Sequence, residues 1–218
     1  MRRQATTAIG AAISALSVIA AAAETTAITV DLAVMQPGQP PAGFEFGRTG
    51  QGAAGQWIVL DDATAESGRA IAQTNRDPTD YRFPLAISGA VSAANVDVSI
   101  RFKPVAGKVD QAGGIAIRLA SPDNYYVVRA NALEDNVNFY RVVDGRRREI
   151  TGANVKVASG QWHSLALRAE GERFTVSFDG KELYVASDKT FAKPGRVALW
   201  TKADSVTHFD RIAIRPLP

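Results

Sequence analysis

Arg173-Phe174-Thr175-Val176-Ser177-Phe178-Asp179-Gly180-Lys181 is the stretch that decides the fold. Phe174, Val176 and Phe178 alternate with Arg173, Thr175, Ser177 and Asp179, the period of two that gives a strand one wet face and one buried face. Asp179-Gly180 then closes a hairpin, because a type I′ turn needs positive φ at both central residues and Asp-Gly supplies it cheaply. Around this hairpin the C-terminal third reads as one meandering sheet: Trp162 to Ala169, Arg173 to Asp179, Lys181 to Ala186, Arg196 to Thr201 and Val206 to Ile214.

The same pattern continues upstream. Val96, Val98, Ile100 and Phe102 fill one face of a strand while Asp97, Ser99 and Arg101 fill the other. Gly114 to Leu119, Tyr125 to Ala130 and Val137 to Val143 come next, with Ser121-Pro122-Asp123-Asn124 and Asp144-Gly145 as turns. Nearer the start, Ile28 to Leu32, Phe44 to Phe46, Trp57 to Leu60 and Ala70 to Gln73 are short strands, interrupted by the Pro- and Gly-rich Gln36 to Pro41 and the Gly-rich Gly47 to Gly55. A dozen short strands without a convincing helix predict an all-β fold, a two-sheet antiparallel jelly-roll sandwich. Phe174, Val176, Phe178, Val96, Val98, Ile100 and Leu199 are its expected core.

Arg2 and Arg3, the uncharged apolar run Ala8 to Ala20, and Ala21-Ala22-Ala23 before Glu24 form the three parts of a secretory signal. The expected organisation is a signal peptide over 1–23 and one jelly-roll domain over 24–218, exported to a periplasmic or extracellular space. The apolar run is too short to anchor the chain in a bilayer, so no transmembrane segment is expected after cleavage. The formal charge of +3 falls to +1 once Arg2 and Arg3 are removed, and so nearly neutral a surface argues against nucleic acid as a partner. Arg146-Arg147-Arg148 reads as the exposed far strand of a hairpin rather than an anion reader. With no cysteine, the fold rests on its apolar core, and thiol chemistry and Cys-ligated metals are excluded.

Three segments carry a resemblance: Gly113-Gly114-Ile115-Ala116-Ile117-Arg118, the run from Asn124 to Asn136, and Leu199-Trp200-Thr201-Lys202-Ala203-Asp204-Ser205. Over roughly residues 44 to 215 the chain is similar to exported bacterial laminin-G and concanavalin-A-like jelly rolls. These are related to the domain named for 3-keto-disaccharide hydrolase activity and described as glycoside-hydrolase-16-like. The resemblance implies the sandwich. It also implies a hydrolase or lyase of modified (3-keto) glycosides as one activity, with Glu134 or Asp135 as acid or base. The Glu-x-Asp-x-x-Glu spacing of true family-16 glucanases does not occur here, and Glu134 and Asp135 are neighbours, which on a strand point to opposite faces. A further implication is a structural calcium ion near the final strand, with Asp210 as ligand and Asp31 or Glu45 as its partner, against the plainer reading that Asp210 pairs with an arginine. No cofactor is otherwise required.

A sugar offers apolar C–H faces and a rim of hydroxyls, so a site for one combines aromatic rings with amides, carboxylates and guanidinium groups. Tyr126, Arg129, Asn131, Glu134, Asn136, Trp200 and Lys202 are the ligand-binding candidates, with Arg129, Asn131, Glu134 and Trp200 expected to line one pocket. The competing reading makes the rings core and the polar groups loop ties. His163 and His208 are read as structural, since nothing in the sequence brings them together. No Gly-x-Ser-x-Gly elbow or phosphate-binding Gly loop is present. The expected function is therefore that of a lectin-like domain that binds a carbohydrate or glycoconjugate without covalent chemistry. The alternatives are the hydrolase above and a non-catalytic structural or interaction module of the envelope.

Overall fold

The computed structural model describes residue 1 and residues 25–218. The signal-peptide expectation falls on residues outside this range. Fifteen strands appear in chain order: β1 (Ile28–Thr29), β2 (Phe44–Gly50), β3 (Trp57–Asp61), β4 (Arg69–Gln73), β5 (Arg82–Ala93), β6 (Val96–Ala106), β7 (Ala112–Ser121) and β8 (Asn124–Asn131), then β9 (Asn136–Val143), β10 (Arg146–Asn154), β11 (His163–Glu170), β12 (Arg173–Phe178), β13 (Lys181–Ser187), β14 (Gly195–Trp200) and β15 (Val206–Pro216). Among the described residues the only helical piece is a 3₁₀ turn, Leu32–Val34; the strand expected over Ile28 to Leu32 ends at Thr29.

Two antiparallel sheets result. The first runs β13-β12-β11-β6-β15-β4-β3, with β1 added along β15. The second runs β10-β9-β8-β7-β14-β5-β2. Strands far apart in sequence lie side by side in both, as in a jelly roll. The Asp-Gly turns take the conformation their chemistry offers: φ is +47° and +73° at Asp144 and Gly145, and +48° and +77° at Asp179 and Gly180.

Every residue expected in the core is buried, from Val96, Val98 and Ile100 through Phe174, Val176 and Phe178 to Leu199. They pack between the sheets with Tyr126, Val128, Phe139 and Phe209. A second apolar cluster, with Phe83, Leu85, Tyr125, Val127, Tyr140 and Trp200, belongs to the second sheet alone. Alternation places it on that sheet's other face, since Tyr125 and Val127 alternate with Tyr126 and Val128 along β8. The second sheet is thus buried on both sides over much of its area. This explains β5, the longest strand, which the sequence reading did not assign. Its run Phe83-Pro84-Leu85-Ala86-Ile87 is continuously apolar because both faces are covered, so no alternation announces it.

The outer face of the first sheet carries a tied-down loop. Asp62 accepts hydrogen bonds from Lys103 Nζ (2.5 Å), Thr64 Oγ1 (2.6 Å) and Thr64 N (3.0 Å), and pairs with His208 Nδ1 at 2.8 Å. Burial pushes the Asp62 carboxyl up, but these bonds together outweigh it and hold the group well below the usual aspartate range. His163 lies on the inner face, stacked on Phe178 and bonded to Asp179 at 2.8 Å. The two histidines sit on opposite faces of one sheet, each with a structural partner.

Phe178 closes one end of the core against Phe102 and His163. Phe178→Ala is expected to lower the free energy of unfolding by about 3 to 5 kcal/mol in denaturant titration. A loss below about 1 kcal/mol would place Phe178 outside the cooperative core.

Candidate functional site

The outer face of the second sheet presents a floor of aromatic rings and, at one end of it, a cluster of charges. The floor is built by register. Trp200 on β14 lies opposite Leu85 on β5 and Gly114 on β7, and Gly114 lies opposite Arg129 on β8. Trp200 stacks on Phe83 with ring centroids 5.2 Å apart and donates Nε1–H to Tyr125 Oη at 3.2 Å. Arg147 from β10 lays its guanidinium over three rings, 4.6 Å from Tyr140, 4.8 Å from Phe83 and 5.8 Å from Trp200. Its Nη1 is buried with no hydrogen-bond partner.

Tyr81 stands at the flank of this floor. It packs edge-on against Phe83 at 4.7 Å, donates its hydroxyl to the Gly145 carbonyl at 2.9 Å and accepts from Arg147 N at 2.6 Å, yet 41% of its surface is exposed. The chain turns here because Arg82, fully buried, spends its guanidinium on the carbonyls of Ala53, Ala54 and Ala203. Gly50 meets the same corner. Its φ is +78°, and a Cβ there would lie 2.0 Å from the Tyr81 carbonyl oxygen, so no other residue fits.

The charged end assembles from four separate stretches. Lys202 Nζ lies 2.8 Å from both Asp80 Oδ1 and Asp110 Oδ2. Asp110 is delivered by Asp204, whose carboxylate accepts the backbone N–H groups of Lys108, Val109 and Asp110. Asp110 is fully buried, and neither carboxylate oxygen has a hydrogen-bond partner of good geometry. Burial accordingly pushes its carboxyl up, against the pull of Lys202. Beside it, buried Arg129 donates to Glu134 Oε2 (2.7 Å), Asn136 Oδ1 (3.0 Å) and Tyr140 Oη (3.1 Å). Burial raises the Glu134 carboxyl, but Arg129 and then Asn136 more than offset it, so Glu134 is held ionised below the ordinary range. Asn138 links Tyr140 to Glu149.

Arg129, Glu134, Asn136 and Lys202 lie at this charged end, but the pocket expected of Arg129, Asn131, Glu134 and Trp200 lacks two of its members, since Asn131 and Trp200 are fully buried. Asn131 joins them in place but not in role: it is fully buried and its Oδ1 caps Leu133 N at 2.9 Å, while Nδ2 is unpartnered. Two candidates need correction. Tyr126 points into the inter-sheet core, stacked near Phe139 and Phe174, with its hydroxyl on Asp188, because it is one residue out of phase with Tyr125 and Arg129. Trp200 faces the site but is fully buried under Arg147 and Phe83, so it supports the floor and cannot itself stack on a ligand. Asp135 is a turn residue at φ +50° tied to Lys156 Nζ and Val157 N, outside the cluster. The sequence reading missed Asp80, Tyr81, Asp110 and Arg147. Only Arg147 left a signal: in a strand, the middle of three consecutive arginines must face the opposite side from its neighbours.

Asp210 lies on the other sheet. One oxygen accepts from Glu66 N at 2.9 Å and the other faces Arg101 Nε at 3.5 Å. Asp31 lines the same cleft, whereas Glu45 is on the second sheet, paired with Arg196. Calcium needs several oxygens. Among the described residues no three His, Cys, Asp or Glu side chains cluster to hold a metal, and the cation nearest Asp210 is Arg101.

Comparison with known proteins adds two findings. The pattern of the family described as "Galactocerebrosidase, C-terminal lectin domain" matches residues 81–217. Among solved structures, the chain superimposes on carbohydrate-binding module CBM66 from Bacillus subtilis (TM-score 0.59, 19% identity, covering 88% of this chain and 97% of that one). It is similar also to domain 4 of AbnA, an extracellular arabinanase from Geobacillus stearothermophilus solved with arabinotriose (0.58, 15%, 88% and 93%), and to the Bacillus licheniformis β-glucanase (0.54, 12%, 83% and 95%). At such identities the likeness is one of fold. No curated protein matches.

Among the described residues Lys202 is the single cation in contact with Asp110. Lys202→Met is expected to destabilise the protein by about 3 to 5 kcal/mol at pH 7 by leaving that carboxylate buried and unpaired, and Asp110→Asn in the same chain to recover most of the loss. Thermal or denaturant unfolding of both variants checks this; equal stability of the double and single variants would contradict it.

Proposed function

Since the chain belongs to the family of the galactocerebrosidase C-terminal lectin domain, we propose that it binds a carbohydrate on the outer face of the second sheet, over the patch formed by Tyr81, Arg147, Asp80, Lys202 and Glu134. The observation that carries this reading is the junction of an exposed aromatic ring with a dense set of fixed polar groups. Tyr81 offers a partly exposed ring to a sugar's C–H face. Asp80 and Glu134 offer outward carboxylates, with side chains 73% and 44% exposed, above Lys202 and Arg129. The Arg147 Nη1 left without a partner marks a place where an ordered water, or a hydroxyl carried by a ligand, belongs.

The same geometry weighs against a general-acid role for the carboxylates named from the sequence as acid or base. A general acid needs a pKa near the working pH. Glu134 is instead locked ionised by Arg129, and the hydrogen bond from Lys156 pulls Asp135 down. The finer kinship with 3-keto-disaccharide hydrolases thus accords with the shape of the fold but finds no acid among these two residues. Export belongs to the same proposal, with N-terminal sequencing of the secreted protein expected to begin at Glu24.

A glycan array followed by calorimetry tests the binding reading. Tyr81→Ala is expected to weaken the selected glycan about tenfold or more, and Arg147→Ala similarly, while far-UV spectra stay unchanged. Glu134→Gln should lower affinity only. If Glu134→Gln instead abolished turnover of a glycoside by about 10²-fold while preserving its binding, the hydrolase reading would replace this one.

A further inference from the structure

The strand that supplies Arg147 to the outer face sends its two neighbours the other way. Arg146 and Arg148 project from the opposite side of β10, and Arg148 lies directly across from Arg141 on β9. Two guanidinium groups facing each other across a strand pair repel unless an anion lies between them. Here they border a groove of about 1050 Å³ at the edge of the sandwich, closed on its far side by Ser187 at the end of β13 and by Lys189 and Thr190 after it.

The acids on hand do not neutralise this set. Asp188 takes Arg141 at 2.5 Å, but its other oxygen is committed to Tyr126 Oη (2.6 Å) and Thr190 N (2.8 Å). Asp144 and Glu172 are exposed hairpin-turn residues of the groove. Among the described residues, neither they nor any other carboxylate comes within 4.0 Å of a charged nitrogen of Arg146, Arg148 or Lys189. Arginine side chains left unpaired beside one another suit the flat, two-pronged recognition of an oxyanion.

We propose that this groove is a second binding site, which takes an acidic glycan through carboxylate or sulfate groups set between Arg148, Arg141, Arg146 and Lys189. That the ligand is a glycan rests on the lectin reading above; that it is anionic rests on the groove alone. The lining offers hydroxyls at Ser187 and Thr190 and no aromatic ring, so recognition there rests on charge and hydrogen bonds rather than on stacking. The volume lies at the upper end of the range of small-ligand sites.

The test measures binding of polygalacturonate, dextran sulfate and neutral dextran by the full chain, in low salt and at about 0.15 M salt. At least one of the two polyanions is expected to bind, more weakly as salt rises, with neutral dextran inert at the groove; the preferred polyanion tells carboxylate from sulfate. The double variant Arg146→Ser/Arg148→Ser should reduce that binding about tenfold or more, and Lys189→Glu should reduce it in the same direction. Asp80→Asn, on the outer-face patch and away from the hairpin that carries Arg146 and Arg148, should leave it unchanged, which separates the groove from that patch. The proposal is overturned if neither polyanion binds, if binding survives the double variant, if Asp80→Asn removes it, or if single-stranded DNA, added to the same panel, is preferred to both polyanions.

Discussion

Alternation along β8 is the constraint on which the rest of the structure depends. In Tyr125-Tyr126-Val127-Val128-Arg129-Ala130-Asn131 every second side chain goes to a different partner. Tyr126, Val128 and Ala130 fill the space between the sheets; Tyr125, Val127, Arg129 and Asn131 build the outer face. A slip of one residue would exchange the two sets and put a guanidinium into the core. The pairing of β8 with β7 and β9 fixes this phase, and the pairing of β7 with β14 then carries it to Trp200.

This phase gives the second sheet two unlike faces. One face joins a conventional apolar core. The other holds a shallow aromatic layer capped by Arg147, with charges gathered at its end. Such a layer does two things at once. It anchors the loops that bring Asp80, Asp110 and Lys202 together, and it keeps that cluster over an apolar floor where electrostatic contacts are less screened than in open water. The carboxylates are mostly paired with fixed cations, an arrangement that orients hydroxyl groups well but leaves few free protons to transfer. Binding is the chemistry such a surface performs most readily.

Much of the fold was legible in the chain. The alternation in β6 and β12 and the Asp-Gly turns led to two antiparallel sheets and to a core whose named members are all buried. The segments around Arg129 to Asn136 and Leu199 to Ser205 are brought to one end of the second sheet, on either side of β7. The rest was hidden for physical reasons. β5 gave no alternation because both its faces are buried. Trp200 looked like a stacking surface because a sequence cannot show what lies over a ring, and here Arg147 does. Asp110 and Asp80 are brought to Lys202 by a turn and by a buried arginine, Arg82, whose partners are backbone carbonyls that no residue pattern records.

The most direct measurement is a crystal structure of the protein with the oligosaccharide that it selects on a glycan array. Sugar density is expected against the exposed face of Tyr81, with hydroxyls within hydrogen-bonding distance of Arg147, Asp80 or Glu134 and with Trp200 still covered. Density confined to the outer face of the first sheet, around Asp62 and His208, would contradict the placement of the site on the second.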